Sequence, residues 1–337
     1  MTLRDYLVRR LFLIIPTFLG ITLITFLVIQ LAPGNPAAMK LRLGGDQAML
    51  GDKVTQEILE QTKKLYGLDK PVWTRYAIWL RRVVTFDFGT SYKDHRPVLD
   101  KIWERLPITV ELNLISIFLV YLVAIPIGVF SAVKQGSVGD RITTIVLFVL
   151  YSLPNFWVAV LLIMFLGGGD FLDVFPIYGI ISSGMEGAPF VSRLVDHLWH
   201  LVLPVFCLTY GGFAALSRYQ RAGLLEVIRQ DYIRTARAKG LPEKLVIFKH
   251  AFRNSIIPIV TLLGYLLPAM FGGSVIIESI FSIPGMGQMG FEAVLSRDYP
   301  VVMAIATISA LLTLFGLLVS DLLYVWADPR ITYEAER

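Results

Sequence analysis

Six uninterrupted apolar runs of around 20 residues narrow what this chain can become more than any other feature. They cover approximately Leu11–Leu31, Ile108–Val133, Ile142–Leu166, Leu198–Leu216, Ile256–Ile277 and Val301–Val325. About 20 apolar residues wound as a helix cross a hydrocarbon layer of about 30 Å. A helix in that layer satisfies its own backbone polar groups, which a loop there cannot do. In a soluble chain the apolar residues would be interspersed at helical or strand periods. The overall content, 55% hydrophobic and 17% charged, agrees. The expected fold class is therefore an all-α membrane protein with about six transmembrane helices. Pro16, Pro126, Pro154, Pro204, Pro258 and Pro268 lie within or at the edges of these runs. Each removes a backbone hydrogen bond and favours a kink.

Arg4, Arg9 and Arg10 precede the first run, as they would in a cleaved signal. That run is too long for a signal core and Ala32-Pro33-Gly34 is a poor cleavage context, so a retained first helix is expected. Orientation follows from basic residues in the short loops. Lys134 and Arg141 flank the link between spans two and three, and nine lysines and arginines lie between Arg218 and Arg253. The opposite short loops offer only Arg193 and Arg297, which places both termini in the cytoplasm.

Residues 32–105 are longer than the loops that rule governs. They read as an extracytoplasmic subdomain between helices 1 and 2, with amphipathic patterns over Val54–Tyr66 and Val72–Val84. Trp73, Trp79 and Trp103 read as packing anchors, with interfacial residues as the alternative. The expected division is 1–31 for the N-terminal end and first helix, 32–105 for this subdomain, 106–326 for a five-helix core and 327–337 for a cytoplasmic tail. The second outer loop, Gly167–His197, is turn-rich.

No catalytic engine is visible. The chain lacks a G-x-x-x-x-G-K-[ST] phosphate loop and a G-x-S-x-G elbow. His95, His197, His200 and His250 make no zinc spacing, and the single Cys207 lies inside an apolar run. His197 and His200, at a helix entrance, fit an interfacial role. Glu111, Glu278 and Asp321 fall near span ends, where water or headgroups could solvate them. An ion-driven carrier usually needs ionisable groups nearer mid-membrane. A non-catalytic chain driven by a separate protein is the better expectation.

The stretch Arg218–Asn254 is the most informative. Leu224, Leu225, Ile228, Tyr232 and Ile233 recur at roughly helical spacing among charges, and Gly240-Leu241-Pro242 then breaks the pattern. A basic amphipathic element of this kind either lies on anionic lipid or docks in a groove of a cytoplasmic partner.

Here the sequence resembles a known family. Asp231-Tyr232-Ile233-Arg234-Thr235-Ala236-Arg237-Ala238-Lys239-Gly240, with His250-Ala251-Phe252-Arg253-Asn254 and Pro258, is similar to the coupling loop of the peptide/nickel family of ABC importer permeases. Arg234 and Thr235 stand where the general importer pattern has Glu-Ala, a departure usual in the peptide branch. Leu31-Ala32-Pro33-Gly34-Asn35-Pro36, Phe86-Asp87-Phe88-Gly89-Thr90-Ser91, the run from Glu278 to Gly287, Arg297-Asp298-Tyr299-Pro300-Val301 and Asp328-Pro329-Arg330-Ile331 also resemble that family, in order and end to end. Asp196-His197-Leu198-Trp199-His200 and the tail at Tyr333 resemble its oligopeptide and microcin C branch.

The resemblance implies a type I ABC importer permease in a bacterial or archaeal cytoplasmic (inner) membrane. Its expected partners are a second homologous permease, two ATP-binding subunits, an extracytoplasmic substrate-binding protein, membrane lipid and a peptide substrate, with no nucleic acid. No cofactor is expected on this chain, with ATP and Mg2+ held by the ATPases. A nickel or metal-chelate importer is the alternative, and an ion-coupled secondary carrier a more distant one. Arg234, Thr235, Ala236, Arg237, Ala238, Lys239, Gly240 and Leu241 are implied as the ATPase-coupling residues. Ala236 and Gly240 would allow close packing, and Arg237 and Lys239 would meet a polar rim. Gly264, Gly272, Gly273, Ser274 and Glu278 could line the substrate path, with Glu278 near its outer mouth. The same small residues equally suit helix packing.

Overall fold

Apolar length and proline placement set where the helices run and where they break. The structure, a computed structural model, describes residues 3–31, 70–168 and 171–327. In chain order its main helices are α1 (Leu3–Leu31), α2 (Val72–Val84), α3 (Val98–Val133), α4 (Val138–Ser152), α5 (Asn155–Leu166), α6 (Phe190–Ile228), α7 (Asp231–Ala238), α8 (Ile257–Gly272), α9 (Val275–Ile280), α10 (Met286–Leu295) and α11 (Tyr299–Ala327). Among the described residues no strand forms, only two isolated bridges. The all-α expectation holds.

Among the described residues, four helices are long and apolar enough to cross a membrane by themselves, or five if α4 and α5 make one broken span. The third apolar run was expected as one helix. It bends by 94° between α4 and α5 because Pro154 cannot continue α4 and instead caps α5. The fifth run stops at Gly272, as the 16-residue α8, because Gly273 takes φ +66° and turns the chain. The fourth helix is longer than expected: α6 has 39 residues and continues through Ile228, into the stretch read as cytoplasmic loop.

The described residues group into two compact units. One contains Arg105–Met289 and the chain from Phe315; the other contains the chain up to Glu104 and Gly290–Leu314. In the first, Leu112, Leu201, Val205, Ile277, Phe281 and Ile283 form a buried core. In the second, Phe26 stacks on Trp79 at 6.0 Å and meets Tyr76 edge-on, with Met303 buried alongside. Trp79 is thus a packing anchor. Trp73 and Trp103, expected to be the same, are exposed. Helix α2 matches its predicted bounds. The pattern over Val54–Tyr66, the Ala32–Pro36 motif and the tail from Asp328 lie outside the described residues.

Two motifs meet in the second unit. Asp298 is buried and accepts the Tyr92 N–H at 2.8 Å and the Ser91 hydroxyl. Lys101 reaches Ser91 at 3.2 Å and Asp94 at 2.7 Å. The Phe86–Ser91 and Arg297–Val301 motifs are thus two halves of one polar contact.

Candidate functional site

The predicted coupling residues form an elbow whose charged side faces outward. Apolar Ile233 and the small Ala236 sit on one side of α7, three residues apart, so helical spacing buries both. They pack with Val129, Ala132, Leu224, Val246, Ile247 and Ala251. Arg234, Thr235, Arg237, Ala238, Lys239 and Gly240 stay exposed, as do Tyr232 and Phe248.

The turn at Gly240 is a complete Schellman motif. The Leu241 N–H reaches the Ala236 carbonyl at 3.4 Å and the Gly240 N–H reaches that of Arg237 at 2.9 Å. Gly240 has φ +74°, a conformation costly for residues with a Cβ. A Cβ added there would meet nothing within 4 Å. Leu241 packs on the cluster that includes Ala236, the apolar contact that accompanies this motif.

One reading is corrected here. Ala236, expected to pack on a partner, is buried against this chain itself. Arg237, expected at a partner's rim, is exposed and pairs with Glu243 at 2.6 and 3.1 Å. Each partner holds the other charged: the Arg237 guanidinium keeps the Glu243 carboxyl below its usual range, and Glu243 raises Arg237. Both side chains are substantially exposed, so solvent screening limits the pair to less than about 1 kcal/mol. The exposed face of α7 carries Arg234, Thr235, Arg237, Ala238 and then Lys239.

The elbow's return stroke is unusual. After a short turn at Glu243–Leu245, residues Val246–Ala251 form a π-helix, followed by Phe252–Ser255. Such segments are rare and concentrate at functional sites. Asn254 donates to the Tyr232 hydroxyl at 2.8 Å, tying this strand of the elbow to α7. Nearby, Asp140 is buried and accepts from Arg221 at 2.9 Å and from the Gly136 N–H at 2.9 Å. Arg221 and Arg141 counted alike in the charge argument, yet Arg221 has a specific carboxylate.

Of the residues expected along the substrate path, Gly273, Ser274 and Glu278 form one packed turn. Glu278 is 1% exposed, not at a solvated mouth. Its Oε1 accepts the Ser274 N–H at 3.1 Å and the Thr109 hydroxyl at 3.3 Å, while Oε2 accepts the Gln288 N–H at 2.8 Å. Gly273, Gly285 and Gly287 enclose it: a Cβ on Gly273 would lie 2.4 Å from Oε1 and one on Gly285 2.4 Å from Oε2. A Cβ on Gly287 would lie 2.7 Å from the Val275 nitrogen. Ser274 caps α9 by accepting from Ile277. These residues seal a turn by carboxylate and backbone amides. Gly272 ends α8, and a Cβ there meets nothing within 4 Å. Gly264 lies within α8.

The two histidines near the start of α6 are hydrogen-bonded within the chain. His197 has one ring nitrogen 2.9 Å from the Ile180 carbonyl and the other 2.9 Å from Glu111. His200 is buried, 2.8 Å from the Asp196 carbonyl, and Asp196 holds Ser182 through two bonds. The loop before α6 is thereby fastened to α6, and α6 in turn to Glu111 of α3.

Comparison with known proteins supplies the family. The profile for the binding-protein-dependent transport system inner membrane component matches residues 124–333, and its N-terminal companion matches 3–113. The oligopeptide transport system permease protein AppB of Bacillus subtilis is 40% identical over 97% of this chain and 99% of its own length. The peptidoglycan transport system permease protein YejB of Agrobacterium fabrum is 35% identical, covering 98% of each chain. The dipeptide transport system permease protein DppB of Escherichia coli is 35% identical over 98% of this chain and 99% of its own. A solved amino acid ABC transporter chain aligns with 67% of this chain and 94% of its own at 16% identity, with a TM-score of 0.46, too low to add to the fold argument. On this near full-length similarity, the chain belongs to the binding-protein-dependent transport system inner membrane components, as a multi-pass ABC importer permease.

Proposed function

We propose that this permease carries peptides and is driven through the elbow at residues 231–255. Its 40% identity to an oligopeptide permease over nearly the whole length of both is the observation that supports a peptide substrate most strongly. The relatives named above are called after peptides or peptidoglycan, and none after a metal, so the peptide reading stands ahead of the nickel one.

In this reading a second permease completes the pathway and two ATPases bind the elbow, holding ATP and Mg2+. An extracytoplasmic binding protein delivers substrate. This chain contributes no catalytic group. Basic residues near Lys134 and across the elbow put both on the cytoplasmic side, with both termini there and residues 32–105 outside. The elbow suits docking because its apolar underside is already used internally, which leaves Arg234, Thr235, Ala238 and Lys239 for a partner. Gly240 acts by shaping the turn, and Arg237 by bracing it through Glu243.

The test is ATP-dependent uptake of a labelled peptide into vesicles containing the whole complex. Loss of uptake without this chain supports the substrate class; uptake of nickel but no peptide rejects it. Ala238→Trp probes the coupling surface. It places bulk on an exposed helical position without disturbing the turn, so uptake should fall while the chain stays inserted. Unchanged uptake in that variant rejects the elbow as the docking surface.

A further inference from the structure

Where the elbow meets the long helices, one buried amide is only half satisfied. Gln220 on α6 is fully buried, with its Nε2 3.0 Å from the Ser255 hydroxyl, and its Oε1 has no partner. Turning the amide over would pair Oε1 with Ser255 and strand the nitrogen instead, so Ser255 can satisfy one end only. The packing is otherwise tight. A Cβ on Gly128 of α3 would lie 2.6 Å from the Gln220 Cβ, and one on Gly223 would lie 3.2 Å from the Ser255 carbonyl. A buried polar group left half-paired costs free energy that an apolar side chain of similar size would not.

The neighbour of Ser255 is the better partner. Asn254 has both an amide oxygen and an amide nitrogen, so face to face with Gln220 it could satisfy both ends. It is exposed here, its Nδ2 donating to the Tyr232 hydroxyl of α7 at 2.8 Å and to the His250 carbonyl at 3.3 Å. The π-helix at Val246–Ala251 lies immediately upstream. A π-turn closes i→i+5 bonds where an α-helix closes i→i+4, so it holds about one extra residue. Converting it to α-helix with the elbow fixed advances every later residue by about 1.5 Å and turns it by about 100°. Those are the rise and rotation of a single residue. Asn254 then comes to the place Ser255 occupies.

We infer that Gln220 and Asn254 are positioning residues for transport. Loss of the Tyr232–Asn254 bond and collapse of the π-turn exchange Ser255 for Asn254 at Gln220, rotating the start of α8. This rests on the elbow as the driven element. The device has two discrete arrangements, as transmission between distant sites requires. It also accounts for three features at once: the π-turn, the Tyr232–Asn254 bond and the half-paired amide.

The exchange is tested by thiol accessibility in membranes containing the whole transport complex, at rest and after trapping with ATP and vanadate. The native Cys207 is buried and serves as a silent background. Asn254 and Ser255 are kept native, and flanking positions report the one-residue advance. Pro258→Cys, exposed at rest, should be protected from a maleimide after trapping as it takes the buried place of Ile259, and Ile259→Cys should gain reactivity as it moves to the half-buried place of Val260. Protection at 258 with no gain at 259 means only that a partner covers this region, and it overturns the exchange.

Gln220→Leu gives a second readout. It removes the unpaired amide, so thermal stability in detergent should hold or rise while uptake drops several-fold with ATP hydrolysis retained. Stability and uptake falling together would mark Gln220 as merely structural, and unchanged uptake would also reject the role. Should Ala238→Trp leave uptake intact, the coupling reading itself fails. Should Ala238→Trp block uptake while the thiols show no exchange, only this inference fails.

Discussion

Gly240 and Gly273 share a positive φ, +74° and +66°, and each follows the end of a helix. Their surroundings are opposites. Around Gly240 a Cβ would meet open space; around Gly273 it would strike a buried carboxylate oxygen at 2.4 Å and the Gly287 nitrogen at 2.5 Å. The charged groups differ likewise. At the elbow, Arg234, Arg237 and Glu243 are solvated and loosely paired; at the second turn, Glu278 is enclosed and bonded from three segments. One break is an open surface, the other a sealed joint. A glycine in a helix-ending turn therefore shows that the chain bends, and only its neighbours show whether the bend is for contact or for closure.

The sharpest way to break the contrast is at the carboxylate. Glu278→Ala strands two buried backbone N–H groups and the Thr109 hydroxyl, and should cost about 3–5 kcal/mol or abolish insertion-competent protein. Thermal unfolding in detergent measures it. Glu278→Gln should be nearly as damaging, because its NH2 must face an N–H donor. A Gln variant as stable as the native protein would show that the joint is not sealed by acceptors.

The glycines come next. Gly273→Ala combines left-handed strain with a clash and should cost about 3 kcal/mol, against about 1–2 kcal/mol for Gly240→Ala, which meets strain alone. Equal losses in the same unfolding assay would erase the distinction. A smaller effect is expected from acid. Burial pushes the Asp94 carboxyl up, but bonds from Lys101, Ser91 and the Arg96 amide outweigh it and bring it to about 2. Because the folded value lies below the ordinary 3.8, this stabilisation is full above pH ~5 and fades as pH falls toward about 2. Asp94 is over a third exposed, so the loss should not exceed about 1 kcal/mol. Lys101→Met should flatten that part of the pH–stability curve. Least of all, Arg237→Ala should change stability by less than about 1 kcal/mol, an amount that added salt should shrink further.

The elbow was legible in the sequence and the sealed joint was not. Periodicity from Leu224 to Ile233 and the Gly-Leu-Pro break are local signals; they marked the turn at Gly240 but ran across the break at Arg229–Gln230 that separates α7 from α6. What the residues do there depends on contacts beyond that window. Ala236 faces inward because Val246 and Ala251 return beneath it, and Arg237 finds Glu243 only once the turn is made. Glu278 read as solvated because it follows an apolar run. Its partners are backbone amides, which no side-chain pattern announces, and Thr109, which is 169 residues away. The glycines at 273, 285 and 287 were the available hint, since three so near one acid suggest a backbone wrapped closely around it. Pro154 was counted as a possible kink, yet its 94° consequence was missed because apolar length alone does not distinguish a kinked span from a broken one. The half-paired Gln220 left no trace in composition, being one polar residue in a helix already rich in them.

The bond between Ser91 and Asp298 has a consequence for how the protein is made. Its two ends are 207 residues apart. At a synthesis rate of about 5–20 residues per second, the ribosome needs roughly ten to forty seconds to deliver the second half after the first. During that interval the Ser91 hydroxyl and the Tyr92 amide must wait for the carboxylate that later accepts from both. A truncation before Asp298 leaves the early turn without that acceptor. Lesions near the end of the gene should expose the part of the protein made near its beginning.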